Sequence, residues 1–157
     1  MPKLTPWLWF DMNAEDAAEF YTSVFPNSRI GKITRYIEGA PVPAGTVMTV
    51  EMILDGQTFY GLNGGPQFPF TEAVSFQIDC DSQDEVDYYW KTLTEGGGEE
   101  SQCGWCKDKF GLSWQVVPRQ LDELLDSPDP AVVERVTAAM MKMRKIEVPE
   151  LEAAARG

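Results

Sequence analysis

The most constraining feature of this 157-residue chain is a sequence pattern that occurs twice, 68 positions apart. Each copy runs from an alternating segment that predicts a strand into a segment with the three-and-four spacing of an amphipathic helix. A repeat of this size indicates two copies of one supersecondary unit, neither of which can bury its apolar face alone. The matched pairs are Leu8 and Phe76, Phe10 and Ile78, Asp11 and Asp79, Asp16 and Asp84, Phe20 and Tyr88, and Tyr21 and Tyr89.

Turn and capping signals predict the order β-α-β-β-β for each copy. Asn13 is the predicted N-cap of the first helix, and Asp55-Gly56 is a hairpin turn. Ser82 opens a capping box before the second helix. In the first copy the helix is predicted at 14–25 and the strands at 5–11, 28–37, 46–54 and 57–63. In the second copy the strands are predicted at 74–79, 99–103, 104–109 and 112–118.

These elements predict an α+β fold made of two pseudo-symmetric β-α-β-β-β units in a single domain. The first unit is expected at 1–66 and the second at 67–119, with a C-terminal helical extension at 120–157. Asp129-Pro130 is a typical helix start. The apolar stripe that follows it predicts a C-terminal helix with more apolar surface than a monomer should expose, which favours a homodimer.

Composition excludes several classes of function. The net charge of −12 argues against nucleic acid and anionic membranes as partners, since both attract basic surfaces. We expect a soluble cytoplasmic protein, because no apolar stretch is long enough to span a membrane and no basic-then-apolar leader begins the chain. The chain has no histidine, which removes the commonest metal ligand and the commonest general base together.

Several runs of residues together carry a resemblance to a known family. On them the chain resembles the vicinal oxygen chelate superfamily, which includes glyoxalase I and bleomycin-resistance proteins, and within it the PhnB-like, demethylubiquinone methyltransferase-like group. The resemblance implies two curved half-sheets, a cleft between the units that usually holds a divalent metal, and a dimer. The runs are Leu8–Asp11, Ala17–Tyr21, Pro26–Ile30, Asp108–Gln115 and Met140–Met143.

The positions that carry metal ligands in that superfamily hold neutral groups here. The resemblance places them at Ser75 and Gln115, and the repeat offsets then give Trp7 and Tyr60 in the first unit. An indole, a phenol, a hydroxyl and an amide are poor ligands for zinc, nickel or iron. We therefore expect no metal and no cofactor in this protein.

These positions predict a small-molecule site. Trp7, Trp9 and Tyr60 offer flat apolar walls, and polar groups that converge on such walls are typical of a ligand pocket. The hypothesis is metal-independent binding of a small planar or aromatic molecule in the inter-unit cleft, with hydrogen bonds from Ser75, Gln77 and Gln115.

Three alternatives stay open. The same side chains could satisfy one another in a filled core. The protein could instead be an enzyme, either a glyoxalase-type lyase or isomerase or one that uses Glu51 as a catalytic base. It could also be a structural dimer without a ligand.

Other motifs receive structural interpretations. Cys103 and Cys106 have CxxC spacing, but they fall in a predicted hairpin rather than at a helix N-terminus, so we expect incidental thiols. Asp11 and Asp79 are expected to serve helix starts. The glycines of Gly96–Gly98 follow a helix instead of joining a strand to one. They are therefore a poor match to the glycine-rich turn that binds S-adenosylmethionine, and methyl transfer is not expected.

Overall fold

The computed structural model describes residues 2–157, which divide into two compact units. The first unit ends at Phe70 and forms one four-stranded sheet in the order β1-β4-β3-β2. β1 is parallel to β4, and the other neighbours are antiparallel. Its elements are β1 Trp7–Phe10, α1 Ala14–Val24, β2 Arg29–Arg35, β3 Val47–Leu54 and β4 Gln57–Asn63.

One face of this first sheet is covered by α1. The helix buries Ala14, Ala17, Ala18, Tyr21 and Val24, the apolar stripe of its sequence. The helix can approach β4 closely because Gly61 has no side chain, and a Cβ there would lie 3.2 Å from the Ala14 Cβ atom. Because side chains alternate along a strand, the intervening residues point to the opposite, helix-free face.

The second unit, from Thr71 onward, repeats this topology in a four-stranded sheet with the order β5-β8-β7-β6. β5 is parallel to β8, as β1 is to β4. The predicted duplication and the α+β fold are therefore confirmed. The elements are β5 Ser75–Cys80, α2 Gln83–Thr94, β6 Glu99–Glu100, β7 Trp105–Lys107 and β8 Ser113–Pro118.

Three helices follow β8 and belong to the second unit. They are α3 Arg119–Leu125, α4 Pro130–Met140 and α5 Val148–Arg156, whereas the sequence pattern had indicated only the helix that begins at Pro130. The predicted start of α4 is correct, since Asp129 Oδ1 accepts a hydrogen bond from the Ala131 N–H at 3.0 Å. The three helices share one buried apolar cluster, formed by Val117, Leu121, Val136, Met143, Ile146 and Leu151.

This cluster covers the apolar stripe of α4 within the same chain. The apolar stripe of α4 was expected to need a second chain to cover it, but it packs against α3 and α5. Within the helical extension predicted at 120–157, α3 and α5 were not distinguished, since they have only seven and nine residues.

The predicted helix starts have the correct positions, but the predicted residue does not always make the capping hydrogen bond. Ser82 Oγ accepts a hydrogen bond from the Glu85 N–H at 3.2 Å, as its sequence motif indicates. Asn13 occupies the N-cap position of α1, but its side chain makes no capping bond. Asn63, from the end of β4, supplies that bond by accepting from the Ala14 N–H at 2.8 Å.

Within residues 2–157, none of the helices is both long and apolar enough to cross a bilayer.

Candidate functional site

The helix-free face of the first unit carries a row of three side chains from neighbouring strands. Trp7 of β1 pairs with Tyr60 of β4, and Tyr60 pairs with Glu51 of β3. The Trp7 and Tyr60 rings are stacked, with centroids 4.7 Å apart and an interplanar angle of 14°. Trp7 is 55% exposed, so a large aromatic surface lies open to solvent. Large exposed aromatic surfaces that are held rigidly are typical of binding sites.

Glu51 fixes the phenol of this row. The Tyr60 hydroxyl donates a hydrogen bond to Glu51 Oε2 at 2.7 Å, and the Lys32 N–H approaches Glu51 Oε1 at 3.4 Å. These two donors, followed by the charges of Arg29 and Lys32, hold the pKa of Glu51 below its usual range. The same hydrogen bond raises the pKa of Tyr60, so at neutral pH the pair is a phenol and a carboxylate.

The backbone of the neighbouring edge strand, β2, leaves space for this carboxylate. The pairing of β2 with β3 shifts register between Ile30 and Ile33, and this irregularity includes Gly31 and Lys32. A Cβ atom at Gly31 would collide with the Glu51 carboxylate. The bulge and the glycine together make room for the ionised side chain that orients Tyr60.

Trp9 lies two residues after Trp7 on β1, and its side chain contacts the loop that follows β4. Its indole N–H donates to the Gly65 carbonyl at 2.8 Å, and its ring packs edge-on against Phe68 at a centroid distance of 4.8 Å. A Cβ atom at Gly64 would overlap the Trp9 ring. Trp9 therefore fixes the loop after β4, and its polar atom is already used there.

The helix-free face of the second unit carries polar side chains at the corresponding positions. Gln77 of β5 pairs with Gln115 of β8, and Gln115 pairs with Trp105 of β7. Trp7 pairs with Tyr60 in the first unit, whereas in the second unit Ser75 pairs with Ser113 and Gln77 pairs with Gln115. The repeat offsets of 68 for the first strand and 55 for the last strand therefore disagree by two residues.

The predicted polar residues of the second unit bond to one another. Gln115 Nε2 donates to Ser75 Oγ at 2.9 Å, and Gln77 Nε2 donates to Asp79 Oδ1 at 2.7 Å. Gln77 and Asp79 are exposed, whereas Ser75 and Gln115 are half-buried. The first unit thus brings Trp7, Tyr60 and Glu51 together, and the second unit separately brings Ser75 and Gln115 together.

The residues at the metal-ligand positions of the superfamily do not fit a divalent cation. An indole ring has no lone pair for a metal, and Tyr60 is a neutral phenol whose hydroxyl donates to Glu51. Amide and hydroxyl groups supply no negative charge. Within residues 2–157, no group of three or more His, Cys, Asp and Glu side chains is arranged to hold a metal ion.

The remaining sequence motifs, the CxxC pair and the run of three glycines, have structural roles. Burial is the main cause that raises the pKa of the Cys106 thiol to about 12, so this cysteine is not an activated nucleophile. Gly96 and Gly97 adopt positive φ angles at the end of α2, and a Cβ atom at Gly98 would lie 2.6 Å from two carbonyl oxygens. These glycines serve the turn that joins α2 to β6.

Sequence reasoning missed one residue on the helix-free face of the second unit. Ser113 is only 1% exposed, and its hydroxyl has no hydrogen-bond partner among the described residues. No local signal marks it, because a serine in an alternating strand is ordinarily assigned to the solvent side.

Comparisons with known proteins place the chain in a family. The sequence model of the 3-demethylubiquinone-9 3-methyltransferase family matches residues 2–117. A PhnB protein of that description from Bacillus cereus is 34% identical, with a TM-score of 0.67, and the match covers 74% of this chain and 99% of that one. The chain belongs to this 3-demethylubiquinone-9 3-methyltransferase family. The resemblance to PhnB-like proteins noted from the sequence is thereby confirmed.

Two less similar solved structures share the fold. Protein PA1353 from Pseudomonas aeruginosa is 20% identical, with a TM-score of 0.61, over 75% of this chain and 98% of that chain. The fosfomycin resistance protein FosX from Listeria monocytogenes is 15% identical, with a TM-score of 0.51, over 75% and 93%. No curated protein matches the sequence. The family match ends at residue 117, so α3, α4 and α5 lie beyond it.

Proposed function

We propose that this PhnB-like protein binds a small planar or aromatic molecule, without a metal, on the helix-free sheet face that carries Trp7. The observation that supports it is the Trp7–Tyr60 stack, which is open to solvent and held in place by Glu51. A planar ligand would stack on the outer face of Trp7 at little entropic cost, because the tryptophan is already ordered.

Electrostatics favour a neutral or cationic ligand over an anionic one. Glu51 is ionised at neutral pH and accepts the Tyr60 hydroxyl proton in a hydrogen bond, which places negative charge beside the aromatic pair. The chain as a whole has a net charge of −12. A cation over an exposed indole gains about 0.5–1 kcal/mol or more from the ring quadrupole.

Catalysis by Glu51 is not part of the proposal. A general base works best when its pKa is near the working pH, and the hydrogen bond from Tyr60 lowers the pKa of Glu51 instead. Methyl transfer is not proposed either, since the glycines of Gly96–Gly98 serve the turn after α2. In the second unit, Ser75 and Gln115 are proposed as ligand-binding residues on their own sheet face.

The test is a titration with three planar compounds of nearly the same shape, benzamidine, benzamide and benzoate, monitored by tryptophan fluorescence and amide chemical shifts. We expect benzamidine and benzamide to bind and benzoate to bind at least tenfold more weakly, a difference of about 1.4 kcal/mol. EDTA should leave the affinity unchanged. A rise of several degrees in melting temperature with Zn²⁺, Ni²⁺ or Mn²⁺ would contradict the metal-independent proposal.

The deciding variant is Trp7→Ala, which should weaken the binding of benzamidine and benzamide at least tenfold. Tyr88→Ala is the matched control, since Tyr88 is also exposed (46%) and in ring contact with a second aromatic residue, Tyr89. The control should leave both affinities unchanged. Equal losses in the two variants would mean that the compounds bind exposed aromatic residues in general, and the proposal would fail.

We also propose that the protein is a homodimer, as its resemblance to the family implies. In the first unit Ile30 and Ile33 leave 36% and 40% of their surface exposed on the edge strand β2, which supports a contact with another copy. Size-exclusion chromatography with light scattering should give twice the 17.6 kDa chain mass, and a monomer at micromolar concentration would contradict this proposal.

A further inference from the structure

A cavity of about 160 Å³ lies beside strands β6, β7 and β8 of the second unit. It spans three strands, because Glu99 pairs with Lys107 and Lys107 pairs with Ser113. This volume holds several water molecules. The side chains that define its chemistry are Glu72, Glu99, Glu100, Trp105, Lys107 and Ser113.

The Ser113 hydroxyl is a buried polar group without a partner. Its residue is 1% exposed, and no protein atom within residues 2–157 forms a hydrogen bond with its Oγ atom. Buried hydroxyls in native proteins are nearly always satisfied, and an unsatisfied one carries a desolvation cost. Since Ser113 lines the cavity, the partner that this hydroxyl lacks can enter from the cavity.

The charge around the cavity is negative. Three carboxylates line it against a single ammonium, Lys107. That ammonium is already paired with Glu72, an ion pair that raises the pKa of Lys107 and lowers that of Glu72. Glu99 and Glu100 therefore leave an excess of negative charge. The Cys106 thiol adds none, because its pKa is raised to about 12.

The geometry favours an organic cation over a metal ion. Within the part of the chain that the structure describes, no three acidic, cysteine or histidine side chains are close enough together to hold a metal ion. Glu100 Oε1 also accepts the Trp90 indole N–H at 2.5 Å. The half-buried Trp105 also lines this cavity, and aromatic rings attract ammonium groups.

We infer that this cavity binds a small primary ammonium compound that also carries a hydroxyl group. The ammonium lies near Glu99 and Trp105, and the ligand hydroxyl bonds to Ser113 Oγ. This site rests on different residues from those of the proposed aromatic site, so either can fail without the other.

The experiment compares three probes of the same size, ethanolammonium, ethylene glycol and glycolate, by ¹H–¹⁵N chemical-shift titration of the full chain. We expect ethanolammonium to shift the Trp105 indole and Ser113 amide signals with a dissociation constant in the millimolar range or below. Ethylene glycol and glycolate should bind at least tenfold more weakly. Equal binding by all three probes, or binding by none, would overturn the inference.

Ser113→Ala separates a ligand site from a structural hydroxyl. If the hydroxyl bonds only to a ligand, its removal should leave the urea midpoint of the free protein equal to or higher than that of wild type. The same variant should weaken the binding of ethanolammonium at least tenfold. Ser101→Ala is the matched control, an exposed serine on the same cavity, and should change neither quantity. A lower urea midpoint for Ser113→Ala would show that the hydroxyl bonds a structural water, which would overturn the inference.

Glu99→Gln tests the charge with almost no change of shape. This variant should weaken the binding of ethanolammonium at least fivefold and leave the binding of ethylene glycol unaffected. Glu95→Gln is its control, because Glu95 is an exposed carboxylate that lies outside the cavity and pairs with Lys91. Equal effects of the two variants would mean that only the net charge of the chain matters, and the inference would then be wrong.

Discussion

One buried amide, Asn63, links the start of α1 to the first sheet, in addition to the apolar stripe that the helix buries. The residue is 2% exposed and bridges two elements. Its Oδ1 atom accepts from the Ala14 N–H at 2.8 Å, and its Nδ2 atom donates to the Val47 carbonyl at 3.1 Å. The Ala14 N–H is one of the first amides of a helix, so it has no partner within the helix itself.

The effect of Asn63→Ala can be estimated from these two bonds. Leaving the buried Ala14 N–H without an acceptor costs about 1–3 kcal/mol, and loss of the bond to the Val47 carbonyl adds about 1 kcal/mol, since a carbonyl oxygen has a second lone pair. We therefore expect a loss of about 2–4 kcal/mol in the free energy of unfolding. That is a large part of the about 5–15 kcal/mol that stabilises a typical domain.

Two variants make the comparison specific. Asn13→Ala should be within about 0.5 kcal/mol of wild type, because the Asn13 side chain makes no capping bond although it occupies the N-cap position. Ser82→Ala should cost about 1 kcal/mol, the usual value for a local cap. Urea denaturation measures all three, and hydrogen exchange at Ala14 should be faster in Asn63→Ala alone. A larger loss for Asn13→Ala than for Asn63→Ala would refute the reasoning.

Two further predictions concern the loop after β4 and the pH dependence of stability. Gly64→Ala should force the Trp9 ring away from the loop and reduce stability by about 1–3 kcal/mol, measured by urea denaturation, and an unchanged urea midpoint would contradict this packing. The Lys145–Asp87 ion pair lowers the pKa of Asp87 and raises that of Lys145. Its contribution, up to about 1 kcal/mol for a partly exposed pair, should therefore be constant between about pH 5 and 10. It should decline as the pH falls below about 4, the usual aspartate pKa of an unfolded chain, and be lost once the pH passes below the lowered pKa of Asp87 in the folded protein. Asp87→Asn should thus differ from wild type at pH 7 and converge with it near pH 2, and a constant difference would contradict the assignment.

The parts of the fold that were predictable depend on local chemistry. The hairpin at Asp55-Gly56 was expected to join strands at 46–54 and 57–63, and the structure has Val47–Leu54 and Gln57–Asn63. Alternation and a turn signal decide these bounds within a few residues of sequence. The Ser82 cap is equally local, because its bond spans three positions.

The parts that were missed depend on contacts between distant positions. The Asn63 side chain caps a helix 49 positions earlier in the chain, and no sequence pattern marks such a pair. The two-residue disagreement between the repeat offsets depends on pairing between parallel strands, which similarity of side chains cannot reveal. The burial of Ser113, which pairs with Lys107, likewise requires the assembled sheet.

The duplication explains why the two units can differ in chemistry without any change of fold. The helix-covered faces keep an apolar character in both copies, because α1 and α2 must bury their stripes against them. The helix-free faces carry no such constraint. A row across the strands of this face holds Trp7, Tyr60 and Glu51 in the first unit and Gln77, Gln115 and Trp105 in the second. An aromatic row and an amide row therefore fit the same backbone topology. Under the proposed function, the side chains of such a row, rather than the backbone, select the ligand.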